Sequence, residues 1–149
     1  MRSLVQLDID LSKPELAELF ADPALMTKWM DDLERVEPIS GKLGVPGSRY
    51  RLIPKSGDMV FEATVIARNL PHESRLRLEA SNVTVAISAT FEAVSPGTTR
   101  LVSDEQFTFK GVFGKLLGFF AQWSIRKAHR RHMLAFKHFA ESNRQGTGQ

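Results

Sequence analysis

Cysteine is absent from the 149 residues. That excludes disulfides, thiolate metal sites and thiol nucleophiles, and it agrees with a reducing cytoplasm, where we expect the protein to reside. Long apolar runs are missing too. The nearest, VFGKLLGFFA at 112–121, is broken by Lys115 and falls well short of the ~20 residues a membrane-spanning helix needs. The opening MRSLVQLDIDLSKPE carries acids within ten residues and no apolar core, so a secretory leader is not expected. No Gly-rich phosphate loop, nucleophile elbow or Ser-His-Asp order can be read, and no internal repeat is visible. Acids are scarce in one place: residues 106–140 contain seven Lys/Arg and no Asp or Glu, against thirteen Lys/Arg and seventeen acids elsewhere. The formal net charge of +3 is therefore one local face.

What is present suits a single domain. At 42% hydrophobic the chain can build a sizeable core without a staple. We expect a domain over residues 1–142 and a flexible polar tail over 143–149. VQLDIDL alternates, with Val5, Leu7, Ile9 and Leu11 on one side, as a half-buried strand does. Ser12 opens a short helix, with Pro14 in its first turn and Glu15 at the capping-box position. Asp22-Pro23 repeats the start signal for a second short helix reaching about Trp29. From there to Gln106, turn residues punctuate extended segments, with strands expected at 31–40, 47–55, 58–69, 73–81, 83–94 and 98–109. Alternation wets one side of this antiparallel sheet. The final helix, expected from Phe113 to Ser142, must cover the other.

At 100° per residue, Phe113, Leu117, Phe120, Ala121, Ser124, Ala128, Ala135 and Phe139 gather on one face of that helix. Lys115, Gln122, Arg126, His129, Arg130 and Lys137 lie roughly opposite, with Arg131, His132 and His138 at the edges. The expectation is a lid with its aromatics inside and its cations in water. Phe119 and Met133 project away from the main apolar face. Aromatics segregated from the cations argue against nucleic-acid binding, which needs both on one surface. His129 and His132, spaced i, i+3, lack a third ligand in any motif, and Arg130 and Arg131 would repel a cation there. No metal and no cofactor is expected.

The order of strand, two short capped helices, six antiparallel strands and a long C-terminal helix resembles the START-like superfamily, also called SRPBCC, Bet v 1-like or polyketide cyclase/dehydrase-like. ADPALMTKWMDDLERVEPISG resembles that group's segment with Asp22, Pro23, Trp29, Val36 and Gly41 in place. GVPGSRYRL is similar to its glycine entry into the third strand, NLPHESRLRLEA to its Pro-containing turn, and SPGTTRLVSDEQFTF to its final strand. The resemblance covers residues 4 to 140 and is specific for fold rather than activity. It implies an α+β helix-grip fold in which a curved antiparallel sheet of about seven strands (β-α-α-β6-α) wraps the C-terminal helix around a cavity. Members bind lipids, polyketides and other apolar molecules, and some are cyclases, dehydratases or hydroxylases.

The residues read alone reach the same place. Small side chains at Ala63, Ala67, Ala80, Ala89, Ala121, Ser124 and Ala128 leave volume between sheet and helix, to be filled by ligand, by water or by closer packing. The expected wall comprises Trp29, Tyr50, Leu52, Phe61, Ala63 and Val65, then Leu78, Ile87, Phe91, Ser103, Glu105 and Phe107, and from the helix Leu117, Phe120, Ala121 and Ser124. In TRLVSDEQFTF the alternation turns Leu101, Ser103, Glu105, Phe107 and Phe109 inward, unless a bulge brings Asp104 in instead. An inward Glu105 has its pKa raised by desolvation unless a cation or donors hold it ionised; it could serve as donor or base beside the chain's one tyrosine, Tyr50, or sit near the mouth and pair with Arg131 or another cation from the lid. The leading expectation is a binder of a small hydrophobic or amphipathic molecule, of lipid, polyketide or aromatic type. The alternatives are a cyclase/dehydratase-type enzyme using Glu105 and Tyr50, and a module whose basic helix face (Arg126, Arg130, Lys137) docks on an acidic partner. Neither nucleic-acid binding nor stable membrane insertion is expected.

Overall fold

The computed structural model describes residues 1–147, with side chains through Arg144. β1 (Arg2–Ile9) leads through Ser12 into α1 (Lys13–Ala21), a 3-10 turn (Pro23–Leu25) and α2 (Met26–Trp29). Six strands come next, β2 (Leu33–Ser40), β3 (Arg49–Pro54), β4 (Phe61–Asn69), β5 (Glu73–Glu79), β6 (Val83–Ser95) and β7 (Thr98–Phe109), and then α3 (Gly111–Thr147). Turn residues set each strand boundary within three residues of the positions read from sequence. Helix α3 is longer than expected, running past Ser142 into the stretch expected to be a polar tail; residues 148 and 149 lie outside the described residues.

Local chemistry explains the helix starts with one deviation. Ser12 sits at the N-cap of α1 in extended backbone, but its hydroxyl donates to Glu15 Oε1 at 2.8 Å instead of accepting from the backbone. Asp22 does cap as expected, its Oδ1 accepting from the Ala24 N–H at 3.0 Å.

All seven strands join one antiparallel sheet in the order β1-β7-β6-β5-β4-β3-β2. Register shifts between Leu33 and Arg35, Pro38 and Ser40, Val65 and Ala67, and Ala93 and Ser95 bend and twist the strands, and the curved sheet grips α3. β7 itself is unbroken from Thr99 to Phe109 against β6, so Glu105 keeps its inward phase. Asp104 points out, where Arg2 Nε and Nη2 donate to it.

The core is dense at one end only. Phe136, fully buried, meets Phe20 at 5.0 Å and Trp29 at 5.2 Å, both edge to face, and Phe20 meets Phe91 at 5.8 Å. Such contacts add to simple area burial. Met133 and Ala140 complete the buried stripe on this half of α3. Toward its N-terminus, α3 presents only small residues to the sheet. Gly118 lies so close to the Phe109 ring that an added Cβ would overlap it. The aromatic cluster closes one end and the contact of Gly118 with Phe109 the other, and an open space remains between helix and sheet along the stretch from Ile125 to Met133.

That packing corrects the helix wheel. The face turned to the sheet carries Gly114, Gly118, Ile125, His129, Met133, Phe136 and Ala140, about 100° round from the face expected. Phe113, Leu117 and Phe120 are exposed, Ser124 is exposed and Ala121 half-buried. His129, expected in water, is buried, and so is Met133. In an ordinary amphipathic helix the bulkiest apolar residues face inward. Here residues 112–125 are apolar nearly all round, and the two glycines, which allow close approach, decide which side packs.

Candidate functional site

Between the sheet and α3 lies a cavity of about 430 Å³, within the ~300–1,000 Å³ typical of small-molecule sites. β3 contributes Tyr50 and Leu52, β4 Phe61 and Val65, β5 Leu76 and Leu78, β6 Val85 and Ile87, and β7 Ser103, Glu105 and Phe107. Alternate residues of neighbouring strands share the concave face, which is why the sequence phase located them. Trp29 and Met26 border the cavity from α2. From α3 come Ile125, Ala128, His129, His132 and Met133. Exposed Asp32, Ser56, Asp58 and Met59 mark the rim.

Of the expected wall, Trp29, Tyr50, Leu52, Phe61, Val65, Leu78, Ile87, Ser103, Glu105 and Phe107 stand on the cavity. Ala63 and Phe91 do not; both are buried in the packed core. Leu117, Phe120, Ala121 and Ser124 are off it because of the helix rotation. Sequence reasoning missed Ile125, His129 and Met133. The signal was there in a stripe of Gly114, Gly118, Ile125, His129, Met133 and Phe136 at helical spacing.

One corner of the apolar space is polar. His129 is held on both ring nitrogens, with Ser3 Oγ 2.7 Å from Nδ1 and Ser103 Oγ 2.9 Å from Nε2. One serine accepts the ring N–H and the other donates to the bare nitrogen, so neutral imidazole is fully satisfied. Burial, with His132 adding repulsion, pushes the His129 pKa down to about 4. Glu105 Oε2 stands 3.5 Å from His129 Nε2. Desolvation pushes its pKa up to about 7, so near neutrality a large share of it is the uncharged acid, an O–H donor. Glu105 therefore faces His129 and not Arg131, whose Nη2 lies 3.7 Å from the Asp32 carboxylate. His132 Nε2 reaches the same carboxylate at 3.1 Å, tying α3 to the α2–β2 turn at the rim.

Two further donors belong to residues that line the cavity. The Tyr50 side chain is fully buried, and among the described residues its hydroxyl reaches only Met26 Sδ, at 4.0 Å; burial pushes the phenol pKa upward, so it stays protonated. The Trp29 Nε1–H is buried without an acceptor among the described residues. Leaving a buried donor unsatisfied costs about 1–3 kcal/mol. Among the described residues no group of three or more His, Cys, Asp or Glu is placed to hold a metal ion.

No protein-family model and no curated protein matches the chain in sequence. Its architecture, in contrast, recurs among solved structures. A protein from Thermus thermophilus superposes with a TM-score of 0.74 at 14% identity, covering 96% of this chain and 99% of that one. A START superfamily protein from Mycobacterium smegmatis gives 0.64 at 16% identity, covering 87% and 94%. Norcoclaurine synthase from Thalictrum flavum, in complex with dopamine and hydroxybenzaldehyde, gives 0.63 at 14% identity, covering 93% and 87%. The chain thus has the START-like, or SRPBCC, helix-grip fold. The likeness is one of architecture.

Proposed function

We propose that this protein binds a small molecule with an apolar body and at least one hydrogen-bond-accepting oxygen, such as a carbonyl, carboxyl or ether, in the cavity between the sheet and α3. The supporting observation is a mismatch between donors and acceptors among the residues that line an apolar cavity. Tyr50 O–H and Trp29 N–H lack good partners, and Glu105, when protonated, adds a third donor. A ligand oxygen would satisfy what the protein leaves open, while apolar burial supplies most of the affinity, at roughly 25 cal/mol per Å² before ordering costs. Calorimetric titration with a matched pair, 2-acetylnaphthalene and 2-ethylnaphthalene, tests this. The ketone should bind roughly two- to tenfold more tightly, and Tyr50→Phe should shrink the difference. Equal affinities in the unaltered protein would contradict the reading.

A second reading, acid–base catalysis of the cyclase or dehydratase type, is favoured by one observation. Glu105 and His129 face each other with pKa values pushed to about 7 and about 4, the reverse of their usual order. A carboxyl poised near neutrality beside a neutral imidazole suits proton transfer to a bound carbonyl. Glu105→Gln separates the readings. It abolishes turnover in an enzyme, whereas in a binding protein it alters affinity alone.

A further inference from the structure

The first half of α3 carries an apolar surface that the fold does not use. Phe113 is 78% exposed, Phe120 72% and Trp123 80%, with Val112, Leu116 and Phe119 also exposed. At 100° per residue these six fall within an arc of about 120°, opposite the face that meets the sheet. A contiguous patch of this kind on a soluble surface is a mark of an interaction site.

The charges around the patch identify its occupant. One turn beyond Trp123 the outward surface becomes cationic, with Arg126, Lys127 and Arg130, and Lys115 lies at the patch's edge. Lys115, Lys127 and Arg130 have no ion-pair partner among the described residues, and the chain has no acid between Gln106 and Ala140. A second copy seated on this face would bring cations against cations with nothing to offset them. The rotation of α3 puts exposed aromatics beside cations, contrary to the segregation expected from the wheel, but Val112 and Leu116 extend the patch with aliphatic surface that bases do not stack on; an anionic bilayer, apolar within and negative at its surface, is complementary to both halves.

The topology also fixes where the patch sits. Antiparallel pairing puts the end of β3, the start of β4, the end of β5, the start of β6 and the end of β7 at one edge of the sheet. The cavity rim at Ser56–Met59 is at that edge, and α3 starts there, Gly114 lying against Asn82 and Phe109. Met59 and Val60, both exposed, add apolar surface at the same end of the sheet. Of the acids near this edge, which include Asp31, Asp32, Asp58 and Glu79, Asp32 is engaged by His132 and Arg131 and Glu79 by Arg77.

We propose that the outward face of α3 from Val112 to Trp123 docks peripherally on an anionic lipid bilayer. The aromatics enter the interfacial layer and Lys115, Arg126, Lys127 and Arg130 meet the headgroups. The apolar stretch is about 17 Å long, with cations starting roughly 5 Å further on. That suits a helix lying in the interface, and no helix of the described residues is long and apolar enough to cross. Docking stands whatever the cavity holds, but it would set the cavity rim near the bilayer surface.

The test is co-sedimentation of the full chain with phosphatidylcholine vesicles, with and without ~30% phosphatidylglycerol, reading quenching of Trp123 by brominated acyl chains (Trp29 is buried in the core). Binding to the anionic vesicles, weakened by salt and accompanied by quenching, is expected. Lys127→Gln should weaken it about fivefold, and Phe120→Ser with Trp123→Ser about tenfold or more; both variants should keep the parent thermal midpoint because the residues are exposed. Any of three results would overturn the proposal: no binding at low ionic strength, binding indifferent to the aromatic substitutions, or a dimer that shields Trp123 in a protein that ignores lipid.

Discussion

Replacing Glu105 with Gln should make the protein more stable at alkaline pH and should expose a titration that the native protein conceals. The ordinary pKa of 4.5 is raised to about 7 in the fold. Between those limits the folded chain keeps a proton that the unfolded chain has lost, so the group's contribution falls as pH rises. At 1.36 kcal/mol per pH unit the loss is about 3 kcal/mol, complete above about pH 7. His129 works the other way. Its pKa drops from 6.5 to about 4, so the unfolded chain binds the extra proton and stability falls as pH drops through that window, again by about 3 kcal/mol. The two slopes oppose each other between pH 4.5 and 6.5, leaving the native protein nearly level there. Glu105→Gln removes the first and leaves the second. Urea unfolding of both proteins from about pH 4.5 to about pH 8 should show the variant gaining about 3 kcal/mol on its parent across the range, about 1–2 M in midpoint. A difference that stays flat, or grows toward acid, would refute a desolvated Glu105.

Glycines on α3 offer a paired test. Gly118→Ala would drive a Cβ into the Phe109 ring and should destabilise by about 1–3 kcal/mol, outweighing or cancelling alanine's helical advantage. Gly114→Ala meets its nearest atom at 3.5 Å and should stabilise by up to about 1 kcal/mol; thermal melts distinguish them. Phe136→Ala removes the hub of the aromatic cluster and should cost about 3–5 kcal/mol in denaturant unfolding. Ser103→Ala deprives His129 Nε2 of its hydroxyl partner and should cost about 1–3 kcal/mol, with the imidazole resonances shifting in NMR while distant amides stay put.

The sheet was legible in the sequence because period-two alternation and turn residues are local signals. TRLVSDEQFTF shows this best, since its phase alone put Ser103, Glu105 and Phe107 on the concave face and Asp104 outside. Helix α3 was legible as a helix but not as a rotation. Its hydrophobic residues outnumber the positions that the fold can bury, so periodicity could not choose the packed side, and the choice fell to close approach at Gly118. His129 was hidden for a related reason. A histidine beside Arg130 and Arg131 reads as solvated until Ser3, 126 residues away, is seen to meet its Nδ1. Long-range polar pairing of that kind leaves no local trace. Trp29 and Tyr50 lay between these extremes, with burial legible from their apolar surroundings and unsatisfied donors visible only in three dimensions.

The claim that the cavity is a ligand site is tested most directly by native mass spectrometry of the protein mixed with 2-acetylnaphthalene, alongside a variant whose cavity is filled by Val65→Phe and Val85→Phe. The unaltered chain should carry one ligand per molecule and the filled variant none, with both giving the same helical circular dichroism. Equal ligand occupancy in the two proteins would place binding elsewhere and contradict the account.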